Sequence, residues 1–96
     1  MKAVLLLSDK TVFEDGSIME VRIWSVPKPV PPATHGYKYS LFFGRPNARL
    51  VAFDNERGKG DHKHVLEVET PYVFISIARL LKDFRDQVES VKGAKI

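Results

Sequence analysis

The hydrophobic period of this chain changes once, late in the sequence, and that change restricts it to folds that set one helix against a sheet. In "TPYVFISIARLLKDFRDQVESVK" (70–92), Ile77, Leu80, Leu81, Phe84, Val88 and Val91 recur at spacings of three and four. One apolar stripe results, as on an amphipathic helix. Ser76 is placed to cap its start and Gly93 to end it, although Arg79 stands where a capping box needs Glu or Gln. Upstream the period is two. Met19, Val21 and Ile23 share one face of "IMEVRIWSV", and Tyr37, Tyr39, Leu41 and Phe43 share one face of "YKYSLFFG". "KAVLLLSDKTVF" favours a strand and turns through "EDGS"; "RPNA" turns the third strand into a fourth, "RLVAFDN". "PKPVPPATHG" has four prolines in ten residues and reads as an extended loop. The expected fold is α+β: a four-stranded antiparallel sheet packed on a C-terminal helix. Ninety-six residues can bury one core, so residues 1–96 form a single domain.

Composition removes several classes of chemistry. There is no cysteine, which excludes disulfides, zinc ribbons and thiol catalysis. The apolar run "AVLLL" is too short for a signal peptide, and no window approaches a membrane span of roughly 18 apolar residues. These features predict a cytoplasmic protein. The net charge is +3, and the surplus lies in residues 1–53, which hold seven bases against four acids. Residues 54–96 hold eight of each. Such an excess suits a polyanionic partner without requiring one.

Residues 54–64, "DNERGKGDHKH", contain no apolar side chain but two of the three histidines. The segment leaves the fourth strand as a polar loop, where a rigid scaffold commonly displays functional groups. If "DHKH" is extended, His62 and His64 project to one side, roughly 6.5–7 Å apart, with Asp61 and Lys63 on the other. Gly58 and Gly60 let the backbone bend around a ligand while leaving Lys59 free. Three readings stay open. Two imidazoles can serve as acid and base in metal-free RNA cleavage, with Lys59 stabilising the phosphorane. His62 and His64 with Asp54 could instead bind a metal, although His-x-His alone is weakly specific. Third, the loop is simply solvated. No P-loop is present, because no Ser or Thr follows Gly58-Lys59, and no serine sits in an elbow motif. His35 lies in the proline-rich loop. Trp24, Tyr37 and Tyr39 could stack bases from a sheet face, but strand aromatics more often form core.

The stretches "HGYKYSLFF", "RLVAFDNERGKGDHKH" and "TPYVFISIARLLKDF" resemble, in order and spacing, the TumE family of prokaryotic toxin–antitoxin toxins. The likeness runs from about Lys2 to Val88, while "VLEVET" (65–70) is less polar than the family pattern. The resemblance implies a small toxin neutralised by a cognate antitoxin, typically a helix-turn-helix protein. Together the two lines predict a metal-independent ribonuclease toxin that needs no cofactor. In it His62 and His64 are the acid–base pair, Lys59 stabilises the transition state and Asp54 orients a histidine. Arg57, Asn55 and His35 are the expected substrate contacts. The alternatives are a metal-binding hydrolase through the same histidines and a non-catalytic partner-binding module using a sheet patch at Trp24 and Phe42. A homodimer is compatible with all three.

Overall fold

Strands joined by short turns and one long proline-rich loop carry the chain back and forth through a single antiparallel meander before it closes with a helix. The computed structural model describes residues 2–96. The strands are β1 (Val4–Val12), β2 (Ile18–Ser25), β3 (Tyr37–Arg45), β4 (Ala48–Glu56), β5 (Gly60–Val65) and β6 (Val68–Pro71), and helix α1 spans Ile77–Lys92. The sheet order is β1-β2-β3-β4-β5-β6. The α+β class and the C-terminal helix agree with the sequence reading, but the sheet has six strands, not four.

The additional strands come from the segments read as a polar loop and its return. Gly58, at φ +84°, turns β4 back, and Glu56 pairs with Gly60 to begin β5. A second hairpin reverses at Leu66, at φ +54°, and adds β6. Apolar alternation is missing from β5 because backbone bonds to β4 and β6 hold it on both sides. Its residues therefore need not bury a hydrophobic face for the ladder to form. The turn at Leu66 was hidden because a branched residue with positive φ lacks the usual glycine or asparagine signal.

The core lies between the helix and one face of the sheet. Val21, Ile23, Tyr39, Leu41, Phe43, Val51 and Phe53 are buried there beneath Leu80, Phe84 and Val88. Each large apolar side chain so buried contributes about 1.5–3 kcal/mol. The Ser76 hydroxyl accepts from the Arg79 amide at 3.1 Å, and Gly93, at φ +76°, donates to the Glu89 carbonyl. Both predicted caps thus form. The opposite sheet face has no second layer among the described residues. Among the described residues, no helix is long and apolar enough to cross a membrane.

The proline-rich loop, residues 26–36, folds over the end of the sheet where β4 turns into β5. The Pro31 carbonyl accepts from the Gly58 amide at 2.8 Å. Gly60 is required twice over: its φ is +78°, and a Cβ there would meet Pro32 Cγ at 3.1 Å.

At the other end, Asp15 closes the β1–β2 turn. Its Oδ1 accepts from the Ser17 hydroxyl at 2.6 Å and the Ser17 amide at 2.9 Å. These bonds pull the carboxyl from the ordinary 3.8 down to about 2. Because the folded value lies below the unfolded one, the stabilisation is fully present above pH 3.8 and is lost as pH falls toward 2. Asp15→Asn is therefore expected to flatten this part of the acid-unfolding profile. Denaturant midpoints measured across that window in both proteins check it; parallel profiles would show that Asp15 is not a source of the acid sensitivity.

Candidate active site

The β4–β5 register decides which polar groups meet. Asp54 pairs with His62 and Ala52 with His64, while Asn55 pairs with Asp61 and Phe53 with Lys63. Phe53 faces the helix core, so alternation places Asp54, His62 and His64 on the uncovered face. Asp61 and Lys63 point to the helix side, as the extended reading of "DHKH" requires. The histidine pair thus sits on a strand rather than in a loop.

His62 is buried, with only 8% of its surface exposed. Its Nδ1 lies 2.9 Å from the Gly60 carbonyl, which can only accept, so Nδ1 donates. Its Nε2 meets Asp54 Oδ1 and lies 3.5 Å from Glu69 Oε1 and 3.9 Å from Glu56 Oε1. A proton or a cation must occupy the space between that nitrogen and these carboxylates. Lys59 Nζ reaches Glu69 Oε1 at 2.5 Å. The hydrogen bond from Lys59 holds the Glu69 carboxyl below its ordinary value, and the same contact raises the lysine. Lys59, His62 and Glu69 line a hollow of about 260 Å³ with Asp61, Thr70 and Pro71.

His64 lies one step along the sheet from His62, paired across strands with Glu69. Its Nδ1 is 3.2 Å from Arg49 Nη2, and a guanidinium can only donate, so Nδ1 accepts. A neutral ring therefore carries its hydrogen on the other nitrogen, Nε2. The donor set that could hold a metal is Asp54, Glu56 and His62, whose ligand atoms lie within 4.8 Å of one another. His64 is replaced by Glu56 relative to the set expected from sequence. Arg57 is exposed at the tip of the β4–β5 turn.

Two expected substrate contacts are placed elsewhere. Asn55 is fully buried. Its Oδ1 accepts from the Tyr39 amide at 3.0 Å, and its Nδ2 donates to the Tyr37 carbonyl at 2.8 Å. Its side chain thus completes the β3–β4 ladder and cannot touch a substrate. His35 lies on the helix side of the sheet, stacked on Phe74 at a ring separation of 3.9 Å. Its Nδ1 accepts from the Tyr37 amide at 3.3 Å, and its Nε2 donates to Asp61 Oδ1 at 2.8 Å. Tyr39 donates to the same oxygen at 2.6 Å. Burial, reinforced by Asp61, pushes the Tyr39 phenol far above its ordinary range. This network ties the proline-rich loop to β5 from behind. It also removes Tyr39 as a base-stacking residue, since that ring is wholly buried.

Sequence reasoning missed Glu56, Glu69 and Arg49. Glu56 could have been found as the alternation partner of Asp54. Glu69 required reading "VLEVET" as a hairpin, which puts it opposite His64.

A larger groove of about 410 Å³ opens on the helix side, between Leu7, Met19 and Val21 of the sheet and Leu81 and Phe84 of the helix. Its lining is mainly aliphatic and aromatic. An imidazole, carboxylates and an ammonium converge instead at the smaller hollow.

Fold and site together define a small α+β protein whose open sheet face presents an acid–base cluster. The chain matches the family model described as Toxin TumE over residues 2–92 and belongs to that toxin family. Membership implies a cognate antitoxin. No curated protein and no solved structure matches the chain significantly.

Proposed function

We propose that this toxin cleaves RNA at the His62 cluster. One observation carries the reading: a buried imidazole, fixed by a main-chain carbonyl, meets Asp54 on a sheet face that is open to a large substrate. The second oxygen of Asp54 takes the proton of the 2′-hydroxyl, with His62 orienting the carboxylate and sharing its charge. The 2′-oxygen then attacks phosphorus. His64, turned away from Arg49 and carrying a proton on both nitrogens, gives its Nε2 proton to the departing 5′-oxygen and is left as the neutral ring, and the RNA ends in a cyclic phosphate. Lys59 turns from Glu69 toward the charge that grows on the phosphorane, and Arg57 holds a neighbouring phosphate. The protein acts in the cytoplasm, held in check by a helix-turn-helix antitoxin.

A second reading is favoured by the compactness of Asp54, Glu56 and His62. Three carboxylates around one imidazole repel a phosphodiester, and a divalent cation bound by this set would reverse that repulsion. The test is cleavage of total RNA by purified protein with and without EDTA. Under the first reading activity survives the chelator. Under the second it disappears and returns with excess Mg²⁺ or Mn²⁺. A protein that arrests growth yet cleaves no RNA under either condition would overturn both.

A further inference from the structure

The open face of the sheet is ordered beyond the cluster itself. The pairing registers place Ser8, Arg22, Ser40, Asp54, His62 and Pro71 in one row across all six strands. One step along the strands, on one side, Leu5, Trp24 and Lys38 form a parallel row. On the other side lie Lys10, Glu20, Phe42, Ala52, His64 and Glu69. Val21, Ile23 and Leu41 face the helix, so alternation puts all three rows on the uncovered side. Trp24 and Phe42 therefore flank a polar strip that runs from Arg22 through Ser40 to Asp54 and His62. Three strand spacings separate Arg22 from His62, about 14 Å.

The charge on this face is divided. The exposed Lys10 and Arg22 lie on β1–β2 against Glu20, and half-buried Lys38 on β3 donates to the Asn55 carbonyl. Asp54, Glu56 and Glu69 instead gather on β4–β6 around His62, with Lys59 engaged by Glu69 and Arg49 by His64. Arg22 and Glu20 form an exposed ion pair at 3.4 Å, which a phosphate can readily open. A polyanion is thus drawn to β1–β3 and repelled from the carboxylates except where it is being processed. Half-buried aromatic rings beside exposed bases are the combination that holds unpaired nucleotides. An A-form duplex would present phosphates and sugars here, with no free base to meet the rings.

We infer that the strip between Trp24 and Phe42 is the track for single-stranded RNA, with bases stacked on the two rings and phosphate held by Arg22, leading the strand to His62. The inference rests on the ribonuclease reading and names its substrate class and binding surface. Trp24 is the sole tryptophan, so its fluorescence reports the track directly. The experiment titrates wild-type protein with a single-stranded 2′-O-methyl oligoribonucleotide, which lacks the attacking hydroxyl and cannot be cleaved by this route. Saturable quenching is expected, weakened by salt, and weaker for the same sequence as a duplex. Affinity measured by anisotropy should fall roughly 5- to 100-fold in Trp24→Ala and in Phe42→Ala, and also fall in Arg22→Ala. Unchanged Trp24 fluorescence, or affinity indifferent to all three substitutions, overturns the track. Quenching by purified cognate antitoxin but not by RNA also overturns it and makes the face a protein interface. If wild type cleaves RNA without quenching, the track falls and the ribonuclease reading stands. If it quenches without cleaving, the track stands and the ribonuclease reading falls.

Discussion

Replacing His62 with alanine is expected to abolish growth arrest and to lower RNA cleavage by roughly 10²- to 10⁴-fold, the usual reach of one acid–base group, because the general base Asp54 loses the imidazole that orients it. The physical reason is the arrangement around Asp54. With the imidazole gone, Asp54 loses its contact with His62 and faces Glu56 and Glu69 across the hollow. The carboxylate is then neither oriented nor balanced. His64→Ala should lower the same rate by removing the proton donor, but it leaves the Asp54 pairing intact. Growth after induction and cleavage of total RNA measure both effects, with circular dichroism to confirm the fold. An alanine variant that remains folded and fully toxic would place the chemistry elsewhere.

Asn55→Ala is expected to act on stability first. The substitution leaves the Tyr39 amide and the Tyr37 carbonyl without partners inside the protein and opens a cavity between β3 and β4. Each buried group left unsatisfied costs about 1–3 kcal/mol, so a loss of roughly 2–5 kcal/mol is expected once both are counted. In a domain of this size that lowers Tm by on the order of 10 °C or more. Urea unfolding should show a lower midpoint with an unchanged slope. Asn55→Asp should recover only part of the loss, because a carboxylate oxygen then faces the Tyr37 carbonyl. Wild-type stability with lost activity in Asn55→Ala would instead restore this residue to the substrate contacts.

Asn55 also illustrates why part of the site was illegible in sequence. It stands beside Asp54 at a strand end, and in a loop both side chains would have been available to substrate. In the sheet, neighbours point to opposite faces. Asp54 therefore joins His62, while Asn55 is driven into the core and survives there only because two backbone groups satisfy it. His35 was misplaced for a related reason. Loop composition gives exposure but not the side on which a loop closes, and this one packs its imidazole on Phe74 behind β5.

The sequence by itself determined the helix from Ile77 to Lys92, its two caps and strands β1–β4. These are local properties: period, propensity and turn residues are read within a few positions. Only the tertiary structure decided that "GDHKH" is a strand, that Glu56 and Glu69 converge on His62, and that His64 turns to Arg49. A backbone ladder accepts almost any side chain once strands lie on both sides, so polarity alone gives no signal for β5. Its partners are fixed by register, a relation between residues distant in sequence, which no local pattern encodes.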